Sequence, residues 1–132
     1  MLFRSSDNLL TKVDALGNTN RFTYDARDNK LTETDPLGNT TTFTYDQFKE
    51  VTSIHTPRGT VTTNSYDAEG NMTRMVDPLG HVTEFTYDGQ GNLLTKTDSL
   101  GNIVESAYDV FGNVTNVLTR DVQRGVDRKS VV

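Results

Sequence analysis

Aspartate heads the same five-residue motif again and again in this chain: Asp35-Pro-Leu-Gly-Asn39, Asp67-Ala-Glu-Gly-Asn71, Asp88-Gly-Gln-Gly-Asn92, Asp98-Ser-Leu-Gly-Asn102 and Asp109-Val-Phe-Gly-Asn113. Carboxylates at fixed offsets from glycine and asparagine suit three chemistries, namely calcium ligation, acid/base catalysis and the capping of a tight turn. A calcium loop gathers about six oxygens or more, several of them from one loop. Here each motif supplies one carboxylate, so a site would have to borrow from neighbouring turns. Capping is the better fit, because an Asp side chain satisfies the backbone N–H groups of its own turn.

Catalysis finds no partners. His55 and His81 are the only histidines and fall at different phases of the pattern, so they form neither a metal pair nor a general base. No Ser-His-Asp order or Gly-x-Ser-x-Gly elbow accompanies the abundant Ser and Thr. Glu84 and Glu105 fall on equivalent positions two strands apart, roughly 10 Å, which suits a solvated face better than an acid/base pair. The reading is of a chain that is not an enzyme and that has no catalytic residue, metal ligand or cofactor.

The second recurring chemistry is a Tyr-Asp pair, Tyr24-Asp25, Tyr45-Asp46, Tyr66-Asp67, Tyr87-Asp88 and Tyr108-Asp109, each 21 residues after the last. Gly17, Gly38, Gly59, Gly80 and Gly101 keep the same interval, and Gly70, Gly91 and Gly112 mark the other half of the period. The dozen residues from Asp35 to Asp46 return almost unchanged from Asp77 to Asp88. Such internal repetition decides the architecture before any local propensity does.

The punctuation reads as hairpin turns. Asp suits the first position of a type I turn, Pro presets φ at the second, and Gly supplies the left-handed residue that follows. Between turns lie six or seven residues rich in Thr, Val, Phe and Tyr, which favour strands. In Thr40 to Tyr45, Thr41, Phe43 and Tyr45 alternate with Thr40, Thr42 and Thr44. The same phase sets Phe22 with Tyr24 and Phe85 with Tyr87 on one face. The intervening segments, such as Asn92 to Asp98, alternate less clearly. From Asn8 to Thr119 the pattern predicts eleven strands in one continuous antiparallel meander, an all-β fold of 21-residue hairpin repeats.

Composition bounds the rest. Hydrophobic residues make up 33%, too few for a thick two-layer core, so a single layer wetted on at least one side is expected. A net charge of -5 argues against nucleic acid, whose binding needs concentrated Lys and Arg. Cysteine is absent, which removes disulfides and thiolate chemistry. No stretch is apolar enough to span a membrane, and the first residues lack the apolar core of a signal peptide. Residues 1–7 read as a truncated half-repeat, with Phe3 in the place of Tyr and Asp7-Asn8 in the place of Gly-Asn. Residues 8–120 hold about five copies, and residues 121–132 leave the pattern, so a disordered or foreign tail is expected there.

These residues resemble the Rhs repeats, also called YD repeats. The 21-residue period, the Tyr-Asp pair and the Asp-Pro-Leu-Gly-Asn turn carry the resemblance from Phe3 to about Arg120. The third copy departs from it at Lys49, Glu50, Thr56, Arg58 and Thr60, and the turns around Val51 to His55 should be less sharply specified. The resemblance implies a spiralling β-sheet shell. In Rhs toxins and the C component of Tc toxins such a shell encloses a C-terminal toxin or effector, and in teneurins it belongs to an extracellular adhesion receptor. It further implies a secreted or cell-surface setting within a larger bacterial protein, with flanking repeats and an enclosed effector as partners.

A different function class is also open. Stacked Tyr and Phe on an exposed sheet hold sugars, so a carbohydrate-binding or adhesive surface is the rival to a structural wall. Tyrosines buried by Leu and Val of adjacent strands would favour cross-strand packing; tyrosines exposed on one face would favour glycans. An open meander further predicts self-association of the isolated chain through its edges, expected at 8–13 and 113–119.

Overall fold

The computed structural model describes residues 2–5, 8–122 and 125–130, with side chains described for 8–122 and 125. It is all-β among those residues: β1 (Leu2–Ser5), β2 (Asn8–Val13), β3 (Thr19–Tyr24), β4 (Lys30–Thr34), β5 (Thr40–Tyr45), β6 (Val51–His55), β7 (Val61–Tyr66), β8 (Met72–Val76), β9 (Val82–Tyr87), β10 (Leu93–Thr97), β11 (Ile103–Tyr108), β12 (Val114–Asp121) and β13 (Val126–Ser130). The eleven strands read from the sequence are β2 to β12. The expectation placed on Asp7 lies outside the described residues.

The chain divides within β7 into two compact units, residues 1–63 and 64–132. In the first, β1 to β7 pair antiparallel in chain order, with Phe22 opposite Glu33, Glu33 opposite Thr41, and Phe43 opposite Ile54. In the second, β8 to β13 do the same, with Met75 opposite Thr83 and Phe85 opposite Lys96. From β2 to β12 each connection is a short turn because consecutive antiparallel strands need no crossover.

The weak alternation of the even-numbered strands has a structural cause. Tyr24 pairs with Lys30 while Thr23 pairs with Thr32, so Leu31 is an extra residue. The register shifts at the same place in three further hairpins, leaving Thr52, Leu94 and Thr115 extra. A β-bulge of this kind breaks period two and increases local twist. Alternation therefore survives only on the strands that end in tyrosine.

Four of those strands, β3, β5, β7 and β9, sort their side chains cleanly. On β5, Thr41, Phe43 and Tyr45 are half-buried while Thr42 and Thr44 are exposed, and β3 and β9 show the same pattern. Among the described residues no hydrophobic side chain is fully buried, and Asn29 alone is buried, at 7% exposure. Each unit is thus a single layer without a core. Cross-strand pairs of Phe, Ile and Thr, at about 0.2 to 1 kcal/mol each, take the place of core burial. Lys30 adds to this, its Nζ lying 4.6 Å from the centre of the Phe43 ring and 5.9 Å from that of Phe22, while also 2.7 Å from Glu33 Oε2. On the wet face, hydroxyl pairs bridge strands, Thr23 to Thr32 at 2.7 Å and Thr86 to Thr95 at 2.6 Å.

Two expectations need correction. Val126–Ser130 forms β13, pairing with β12 from Asp121 opposite Val126 to Val117 opposite Ser130, so residues 121–132 are not a tail without a strand. The Gly125 N–H closes that hairpin on the Asp121 carbonyl at 3.0 Å, with Gly125 at φ 58°; backbone pairing needs neither the repeat's turn motif nor an aromatic. For the same reason 8–13 and 113–119 are not edges, since β1 covers β2 and β13 covers β12.

Candidate functional site

The sequence motif builds one structural device wherever it occurs, and Asp35–Asn39 shows it complete. The Gly38 N–H donates to the Asp35 carbonyl at 3.0 Å and the Asp35 N–H to the Asn39 carbonyl at 2.9 Å. Asp35 Oδ1 accepts the N–H groups of Leu37 and Asn39, at 2.9 and 2.8 Å, and Oδ2 accepts the Asn39 side-chain amide at 2.8 Å. One carboxylate therefore satisfies two backbone donors and grips the residue just before the next strand. The same three bonds recur at Asp14, Asp25, Asp67, Asp88, Asp98 and Asp109.

Hydrogen bonding to an ionised carboxylate favours the ionised form. The Asn39 side-chain amide beside Asp35 holds its carboxyl below the usual range, although partial desolvation opposes it. Asn71, Asn92, Asn102 and Asn113 do the same for Asp67, Asp88, Asp98 and Asp109, and Asn18 for Asp14. At Asp25 the Asn29 backbone N–H leads and its amide follows. At Asp77 desolvation raises the carboxyl, but the His81 ring and backbone N–H outweigh it and the net direction is down. There His81 stands in for asparagine, its Nδ1 2.9 Å from Asp77 Oδ2.

The turn glycines Gly17, Gly38, Gly59, Gly70, Gly80, Gly91, Gly101 and Gly112 all have φ between 78° and 86°. Asp28 and Lys49 occupy the equivalent place at φ 65° and 71° without being glycine. Their two turns are laced together: Lys49 Nζ donates to the Arg27 carbonyl at 2.6 Å, and the Arg27 guanidinium donates to the Gln47 carbonyl.

Tyrosine is the second recurring part. The Tyr45 hydroxyl donates to the Lys30 carbonyl at 2.8 Å, Tyr87 to Met72 and Tyr108 to Leu93, both at 2.9 Å. Each acceptor lies 15 residues back, at the start of the preceding strand. Burial pushes the Tyr45 and Tyr87 phenols up. These rings are half-buried with occupied hydroxyls, which suits packing rather than a sugar platform. Among the described residues no three of His, Cys, Asp and Glu come together as metal ligands, and no helix is long and apolar enough to cross a membrane.

Two roles were missed from the sequence. The asparagine that closes each motif is the carboxylate's amide partner, and its constant place four residues after Asp was the available signal. The tyrosine hydroxyl's backbone acceptor had no signal, because register across a bulge decides it.

A turn-locked, single-layer array of 21-residue hairpins matches the RHS Repeat family model over residues 5–39, 28–61, 66–103 and 87–121, and the chain belongs to that family. No curated protein matches it. Among solved structures it resembles the crystal structure of TcdB2-TccC3-Cdc42, with a TM-score of 0.67 and 22% identity over 87% of this chain. It also resembles a Photorhabdus luminescens Tc holotoxin pore carrying mutant TccC3, with a TM-score of 0.66 and 23% identity over 77%. TcdB2-TccC3 without its hypervariable C-terminal region matches at a TM-score of 0.66 and 22% identity over 86%. The chain spans 6%, 5% and 6% of those chains.

Proposed function

We propose that this chain is a stretch of wall in a shell that encloses or presents a C-terminal toxin or effector polypeptide, and that it catalyses nothing itself. The observation that carries this reading is the single layer without a core, in which every stabilising device acts along the sheet: carboxylate-locked turns, tyrosine-to-carbonyl bonds and cross-strand hydroxyl pairs. A sheet built this way extends by adding identical hairpins, and so suits covering an area rather than shaping a pocket. Its partners are flanking repeats and the enclosed polypeptide, in a secreted or cell-surface bacterial assembly. The aspartates, glycines and tyrosines of the repeat serve the wall structurally. The residue boundaries follow the repeat: a half-repeat over 1–7 and about five copies over 8–120.

The rival, a carbohydrate-binding surface, loses support from the occupied hydroxyls of Tyr45, Tyr87 and Tyr108. The test is protection of cargo. Deleting residues 8–120 in frame from the parent protein should make its C-terminal polypeptide sensitive to added protease, while the intact parent keeps it resistant. Equal resistance in both would overturn the wall reading.

A further inference from the structure

One turn differs from its neighbours in a way that the wall does not use. Thr56-Pro57-Arg58-Gly59-Thr60 replaces the aspartate, the leucine and the asparagine of the motif, and puts an exposed arginine at the tip where Leu16, Leu37, Leu79 and Leu100 stand in the other copies. Its backbone bonds are present, Gly59 N–H to the Thr56 carbonyl and Thr56 N–H to the Thr60 carbonyl, each at 2.9 Å. In place of three carboxylate bonds it has one, between the Thr56 and Thr60 hydroxyls at 2.6 Å. An open space of about 690 Å³, lined by Glu33, Asp35, Thr41, Pro57 and Arg58 among others, separates it from the Asp35 turn.

We propose that the Arg58–Gly59 bond is a processing site for a serine protease of the trypsin class. Such enzymes bind arginine through an aspartate at the base of the S1 pocket. Pro57 biases Thr56 toward the extended conformation that a protease cleft requires, and Gly59 brings no side chain to the leaving-group side. Exposed tips with weak local bonding are where chains are nicked, because a protease cuts the locally opened form. Water adds across the peptide bond, leaving a carboxylate on Arg58 and an amine on Gly59, with no change of oxidation state.

Other basic side chains in residues 8–122 are less available. Arg27 and Lys49, also in turns, are tied to the carbonyls of Gln47 and Arg27. Lys12, Arg21, Lys30, Arg74, Lys96 and Arg120 lie within strands. After the cut the new ends stay joined through Ser53 opposite Thr63, Ile54 opposite Thr62 and His55 opposite Val61. Cleavage therefore opens the rim of the sheet without releasing a fragment.

The experiment is limited proteolysis of the full chain with thrombin and, separately, with dilute trypsin, followed by intact-mass spectrometry. The first cut within residues 8–120 should give fragments 1–58 and 59–132, which co-elute on size exclusion. Arg58→Leu, the residue that other copies carry, should abolish that cut while the protein still folds. Thr56→Asp/Thr60→Asn keeps the arginine and installs the missing lock, and should slow tryptic cleavage there by about tenfold, the two chains being cut equally once heat-unfolded. An intact chain under thrombin, or first tryptic cuts at Arg27 or Lys49, would overturn the assignment. Equal native cleavage of the double variant would overturn the weakened turn as its cause.

Discussion

The turns Asp35–Asn39 and Thr56–Thr60 lie in one unit, one repeat apart, and differ at the residues that make the carboxylate lock. Their backbones nevertheless close with nearly the same bonds, 2.9 and 3.0 Å in the first and 2.9 Å for both in the second. Gly38 and Gly59 sit at φ 85° and 78°. The lock therefore adds stability to a shape that the left-handed residue and the flanking ladders already specify. Lys49 at φ 71° shows that a residue disfavouring that conformation is held there too, in a turn where Asp46 Oδ1 still accepts the Phe48 and Glu50 N–H groups.

The largest effect that could break this comparison comes from the glycines. A Cβ at Gly38, Gly59 or Gly80 would meet nothing within 4 Å, so the cost of a side chain there is conformational. Gly38→Val, Gly59→Val and Gly80→Val should each destabilise by about 1 to 3 kcal/mol in urea unfolding, because a β-branched residue is a genuine outlier at positive φ. Gly59→Val and Gly38→Val should lose similar amounts. A clear loss at one and none at the other would mean that the lock, not the backbone, sets the turn.

Removing the lock comes next. Asp35→Ala strips three hydrogen bonds and leaves two backbone donors to water, whereas Thr56→Ala strips one hydroxyl pair. Thermal melts should show a larger fall in Tm for Asp35→Ala. Equal falls would show that the carboxylate contributes no more than a hydroxyl.

Acid sharpens the comparison further. The folded carboxyls of Asp14, Asp25, Asp35, Asp67, Asp77, Asp88, Asp98 and Asp109 lie below the ordinary 3.8. Between the folded and unfolded values the unfolded chain binds more protons, so stability rises with pH in that window. The contribution is fully present above the unfolded value and disappears as pH falls through the folded one. Melts from pH 6 down to about pH 2 should show Tm falling as pH drops through the ordinary carboxylate value and on through the lowered folded ones, less steeply in Asp35→Asn and more steeply in Thr56→Asp/Thr60→Asn. A flat profile would contradict the hydrogen bonds drawn here.

The smallest effect is expected at Lys49. Lys49→Gly relieves roughly 1 to 2 kcal/mol of left-handed strain but adds about 0.5 to 1 kcal/mol of backbone freedom and loses the bond to the Arg27 carbonyl. The variant should be neutral or slightly stabilised in urea. A marked loss would show that the lacing of the two turns outweighs the strain.

Much of this protein was legible from spacing alone. Asp, Gly and Asn at constant offsets define a turn whose geometry is local, and a turn every ten or eleven residues leaves room for nothing but strands paired in chain order. The facing of Phe43 and Tyr45 followed from period two, because that strand has no extra residue. Other features depend on residues far apart in the chain. The bulged Leu31, Thr52, Leu94 and Thr115 exist only when a neighbouring strand sets the register, and the acceptor of each tyrosine hydroxyl follows from that same register. The pairing of β13 needs only a free strand edge, which no motif announces. Local turn chemistry was thus written in the sequence, while register, bulges and edge pairing were decided by hydrogen bonds between strands, which exist only in the folded sheet.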